Sequence, residues 1–166
     1  MIFRPTQRLQ KKINAGPLAG APLHENPYAD WSARLFTADR AQYILLSNTA
    51  SLYSTVMFGR GITDDNAFIR SALSQIREAM EDDGLTLIYA NFIVPETERI
   101  QFCKAVNRSA TGSMNDLEGV AKRYLLDGLP PFDTGFRLNE TPMSALSAPG
   151  KETYATPREA IRHAGA

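Results

Sequence analysis

The chain holds one cysteine, two histidines and one tryptophan among its 166 residues, and no surplus of either charge. Each scarcity removes a class of function. The single thiol, Cys103, excludes an internal disulfide framework and agrees with a reducing compartment, so a cytoplasmic protein is expected. His24 and His163 stand far apart, and Cys103 has no cysteine partner at a ligand spacing, so no metal site is expected. The histidines also offer no obvious base for a serine nucleophile, and no G-x-S-x-G elbow occurs. Neither G-x-G-x-x-G nor G-x-x-x-x-G-K-[ST] is present, so no cofactor is expected.

Long apolar runs are missing too. The longest, "LTLIYANFIV" at 85–94, falls far short of the roughly 20 residues that cross a bilayer, and "MIFRPTQRLQKKI" has no apolar signal core. No membrane partner is expected. Eighteen basic residues offset eighteen acidic ones, which gives no overall pull towards nucleic acid. Locally the balance breaks: residues 1–13 carry Arg4, Arg8, Lys11 and Lys12 without an acid, whereas 64–83 is acid-rich. These read as two solvated helix faces rather than a binding patch.

What is present reads as one α+β domain over 1–147, with a Pro-containing extension at 148–166 that ends in a short helix. Ile2 and Phe3 form a short strand before Arg4-Pro5, and Thr6 caps a helix over 6–14. "WSARLFT", "QYILLSN" and "YSTVMFG", separated by "ADRA" and "TASL", predict an antiparallel three-stranded meander over about 31–58. Its middle strand is apolar from Tyr43 to Leu46, as in a strand covered on both faces. A helix over 64–82 follows, capped by Thr63, Asp64 or Asp65. The run 85–94 has no decisive period, and Thr86, Ile88, Ile93 and Val94 tilt it towards strand. "RIQFCKAV" at 99–106 is expected as a strand, and "GFRLNETPMSAL" as a strand that closes the core. Three or four helices thus pack an antiparallel sheet. Thr156, Pro157 and Glu159 start the terminal helix.

"NRSATGSMNDLEG", Asn107 to Gly119, carries the candidate site. Ser113 and Asp116 form a capping-box variant that starts a helix over 113–126. A strand that runs through a loop into that helix would leave amides near Ser113, Met114 and Asn115 for an anion. Arg108, Ser109, Thr111 and Ser113 could add side-chain donors. Two readings stay open: a self-capped structural helix, or a phosphate- or carboxylate-binding loop at 107–115.

"PTQRL", the hairpin segment 31–59, "NRSATGSMNDL" and "RLNETPMSAL" together resemble a family of uncharacterised bacterial proteins, a domain of unknown function frequent in plasmid, phage and other mobile-element settings. The resemblance covers most of 1–147 and implies no reaction. The preferred expectation is a non-catalytic binding or regulatory domain with ligand-binding candidates Arg108, Ser109, Ser113, Asn115, Arg40 and Asn139, with Arg34 a further neighbour. Its ligand would contain phosphate or be nucleic acid. The alternatives are an enzyme acting on nucleic acid or nucleotides, such as a toxin-like ribonuclease using Arg108, Ser109, Asn115 and Asn139 or Glu140, and a structural subunit that joins a protein partner or a homo-oligomer.

Overall fold

Short turns build the first half of the sheet. Strands β2 (Asp30–Ala38), β3 (Ala41–Asn48) and β4 (Ser54–Phe58) run antiparallel, with Leu35 opposite Ile44 and Ile44 opposite Met57. Asp39 and Arg40 make the first turn with φ of 45° and 63°. Two left-handed residues in a two-residue loop are the type I′ geometry that matches strand twist. The structure is a computed structural model that describes residues 1–147 and 154–166. Residues 148–153, the first part of the expected extension, lie outside the described residues.

The sheet does not end with the meander. Strand β1 (Ile2–Pro5) lies parallel to β2, and β5 (Gln101–Phe102) lies parallel to β1, which gives the order β4-β3-β2-β1-β5. The expected antiparallel three-stranded sheet is therefore corrected to a mixed sheet of five strands. A hairpin announces itself by a short turn between its strands. A parallel pair needs a long crossover, and more than half of the chain separates β5 from β1, so their pairing leaves no local pattern.

Both faces of the sheet are covered. On one side Phe3, Trp31, Ala33, Leu35, Ile44 and Leu46 pack with Leu9 of α1 (Gln7–Lys12) and with Phe68, Ile76 and Met80 of α2 (Asp65–Asp82). On the other, Phe36, Tyr43, Leu45 and Val56 pack against Met114, Leu117, Ala121 and Leu125 of α4 (Arg108–Leu126). The alternation in β2 sorts to the two faces as its sequence predicts, and the apolar Tyr43–Leu46 run is buried between them. The Asp64 side chain caps α2 by accepting from the Ala67 amide. Thr156 and Glu159 form a reciprocal capping box on α6 (Pro157–His163), whose Ile161 is fully buried in the first core.

Four further expectations are corrected. Residues 85–94 form not a strand but α3 (Thr86–Ile88), running on into a wide π-type turn over Tyr89–Ile93. Leu85 and Ile93 are buried and Ile88 and Tyr89 half-buried, at helical spacings, and this outweighs the β-branched votes. The 99–106 strand shrinks to Gln101–Phe102, because beyond Phe3 the chain finds a loop as neighbour: Cys103 bridges Ala19. "GFRLNETPMSAL" supplies no core strand. Pro131 starts α5 (Pro131–Leu138), in keeping with proline's preference for a first helical turn. Helix α5 lies so close to β4 that a Cβ on Gly135 would sit 2.8 Å from the Thr55 Cα. The fourth correction, the start of α4, belongs to the site.

Arg4 is the polar centre of the fold. Buried, it pairs bidentately with Asp30, Nε to Oδ1 and Nη2 to Oδ2 at 2.8 Å each. Its remaining donors reach the carbonyls of Ala21, Pro22 and Lys104 at 3.0, 2.7 and 2.7 Å. Asp30 also accepts from the His24 amide and the Thr49 hydroxyl. With every hydrogen satisfied, the pair avoids the penalty of buried, unpaired charge.

Two substitutions test this architecture. Arg4→Met leaves Asp30 as a buried charge without its partner and is expected to cost about 3–5 kcal/mol in urea unfolding. An unchanged midpoint would refute the central role of the pair. Gly135→Ala forces α5 away from β4 and is expected to cost about 1–3 kcal/mol, whereas an exposed helical glycine, Gly119→Ala, should stabilise slightly.

Candidate functional site

Helix α4 begins six residues earlier than Ser113 suggests. Asn107 is the cap: its Oδ1 accepts from the Ala110 amide at 2.9 Å, and its carbonyl accepts from Thr111 at 3.3 Å. Asparagine and serine are nearly equal caps, so the local pattern offered two starts. Arg108 to Gly112 continue the helix, and the Ser113–Asp116 box is not used. The 107–115 stretch is thus mostly helical, and the amides of Ser113 to Asn115 lie inside the helix. The donors at the mouth are those of Arg108 and Ser109 instead. No acid stands in the first turn, because Asp116 is two turns further on.

Beside this mouth lies a cleft of about 170 Å³. Asn107, Ser109 and Ser113 line it from α4, Thr49 and Leu52 from the β3–β4 connection, and Leu146 from the chain after α5. Ser113 is buried and Arg108 is exposed at the helix start. The geometry therefore gathers Ser109 and Ser113 of the expected residues, with Arg108 next to them, and adds Asn107 and Thr49.

The others are elsewhere. Asn115 accepts a hydrogen bond from Arg34 on β2, which also pairs with Glu118 at 3.0 Å, while Lys122 holds the second Glu118 oxygen at 2.7 Å. This network ties α4 to the sheet. Asn139 is buried and acts as an extra strand residue: its side chain accepts from the Ser54 amide at 2.7 Å and donates to the Ser54 carbonyl at 2.9 Å. Glu140 pairs with Arg137 and Arg158. Arg40 occupies the β2–β3 turn at the far end of the sheet, beside Lys12, Phe58 and Arg60. The exposed Phe58 and the Gly59-Arg60-Gly61 turn were not singled out in the sequence, although an aromatic followed by a basic residue between glycines was a usable signal.

A second polar cluster is a fastening. The Tyr53 hydroxyl donates to Asp83 at 2.6 Å, and Arg158 of α6 pairs with the other Asp83 oxygen at 3.0 Å. Burial pushes the Tyr53 phenol above its ordinary pKa, and the Asp83 carboxylate adds to the shift. Among the described residues no three of His, Cys, Asp and Glu gather as metal ligands, and no helix is long and apolar enough to cross a membrane.

No curated protein matches the chain. Among solved structures, a chain of the cryo-EM structure of the simian T-cell lymphotropic virus intasome in complex with PP2A regulatory subunit B56 gamma is similar at 14% identity and a TM-score of 0.46. The match covers 90% of this chain and 61% of that one, so this chain spans less than two thirds of its length. Likeness at that level leaves function to be read from this chain's own residues. A family model described as Domain of unknown function (DUF6933) matches residues 2–160. The match takes in the whole sheet, the α4 mouth and most of α6, and the chain belongs to the DUF6933 family.

Proposed function

We propose that the chain is a non-catalytic binding domain that seats a small phosphate- or carboxylate-bearing ligand at the mouth of α4. The observation that carries this reading is the cleft of about 170 Å³ onto which Asn107, Ser109 and Ser113 open. Asn107 takes up the Ala110 and Thr111 amides, which leaves those of Arg108 and Ser109 for a ligand. The positive end of a 19-residue helix without an acid in its first turn favours an anion there. Arg108 supplies a planar fork suited to phosphate or carboxylate oxygens. The lone buried thiol suits a reducing cytoplasm, and the family resemblance carries the expectation of a bacterial, mobile-element setting.

Calorimetric titration with inorganic phosphate and with acetate tests the reading. Arg108→Ala should weaken binding of the preferred anion by about 1.5–3 kcal/mol, the worth of a charge-assisted hydrogen bond, with little change in melting temperature. Asn107→Ala should lower stability by about 0.5–2 kcal/mol through loss of the cap. A folded Arg108→Ala protein that binds as the parent does removes the site.

A further inference from the structure

At the other end of the meander three aromatic rings stack across three strands. Phe36 on β2 stacks on Tyr43 of β3, centroids 5.7 Å apart, and Tyr43 on Phe58 of β4, 5.4 Å apart. The first two are buried, but Phe58 is 58% exposed. A cleft of about 460 Å³ opens beside it, with Lys12, Arg40 and Arg60 in its lining and no acid. Asp39, on the same turn as Arg40, does not line it. Among the described residues none of these three cations is in an ion pair. Lys12 instead donates to the side-chain oxygen Oε1 of Gln42 at 3.0 Å. A neighbouring cleft shares Phe58 and Arg60 and is lined further by Arg70 and by one acid, Glu78.

Arg40 adds a second peculiarity. Its φ of 63° is the second position of a type I′ turn, where glycine is the favoured residue. An arginine there keeps a cation at the rim of the cleft despite the backbone cost.

We propose that this end of the sheet binds a single strand of nucleic acid, one base stacked on Phe58 and the flanking phosphodiesters held by Lys12, Arg40 and Arg60. Sequence-tolerant single-strand sites combine these two elements, an aromatic platform and a basic groove. A duplex hides the faces of its bases, so an exposed ring that shares a cleft with three cations is of use to an unpaired strand. The cleft lies within the range of about 300–1,000 Å³ usual for small-ligand sites, which accommodates one nucleotide unit. This site is separate from the anion seat at α4.

Fluorescence anisotropy of labelled ten-nucleotide oligothymidylate, at about 50 mM salt and above, tests the proposal. The parent should bind, and Phe58→Ala should weaken binding about 5- to 150-fold, the worth of one base stack, with Phe58→Trp restoring it. Arg60→Gln should lower the slope of log affinity against log salt by about 0.7. Arg108→Ala should bind as the parent does, so loss of phosphate binding at α4 and loss of strand binding here are told apart. The proposal falls if the parent does not bind, or if Phe58→Ala binds equally well while Lys12→Gln and Arg60→Gln weaken binding, which marks a plain polyanion surface. It also falls if a duplex of the same length binds as tightly, or if Arg108→Ala removes strand binding that Phe58→Ala leaves intact. A thermal melt of each variant accompanies the titrations, and the exposure of Phe58 favours a folded Phe58→Ala protein.

Discussion

The buried pair of Arg4 and Asp30 is the constraint on which the arrangement of the chain depends. An arginine without solvent must give all five hydrogens to acceptors, and Arg4 does so by collecting segments that no strand pairing would hold. It clamps the loop at Ala21 and Pro22, which a chain with three prolines between 16 and 27 could otherwise place in many ways. It also fixes Lys104, only three residues before the Asn107 cap. Through Asp30 it reaches Thr49, which lines the cleft beside that cap. Removal of either partner leaves the other as a buried charge, so the pair specifies geometry more than it adds stability. The two walls of the candidate anion seat are thus set from below by one ion pair.

This explains which parts of the fold were legible in the sequence. The meander was, because a two-residue turn and a period of two are local. Helix α2 was legible because Asp64 and the spacing of Phe68, Ile76 and Met80 agree with each other. Strands at Ile2-Phe3 and within 99–106 were legible too, but their parallel pairing was not. Arg4 reads in the sequence as one of four basic residues on a solvated helix face, yet it is buried and makes five side-chain hydrogen bonds. Its partner lies 26 positions away, and nothing local distinguishes a buried arginine from an exposed one. The "GFRLNETPMSAL" segment failed for a related reason. Its strand-like role is taken by one side chain, Asn139, which pairs with the Ser54 backbone while the chain itself is helical. The site was half legible. Arg108, Ser109 and Ser113 stand near one another, but Asn107 took the cap that Ser113 also could have served, and Asn115 was drawn into the Arg34 network.

The layout also separates the two candidate surfaces. Strand β2 spans nine residues from Asp30, beside the α4 cleft, to Ala38, beside the Arg40 turn. At about 3.4 Å per residue its ends are about 25–30 Å apart. Groups at that distance with no shared partner act independently in stability and binding, and most of their mutual field is screened at physiological salt. A neutral chain can therefore present two basic ends, because several acids are paired elsewhere: Asp30 with Arg4, Glu118 with Arg34 and Lys122, Asp83 with Tyr53 and Arg158. Net charge describes the whole molecule and says nothing about how the pairing is distributed. The cations left without a carboxylate are the ones able to meet an anionic ligand. At the sheet end they line a cleft with Phe58, the exposed last ring of a stack whose other two members are held in the core, so the platform is rigid before any ligand arrives.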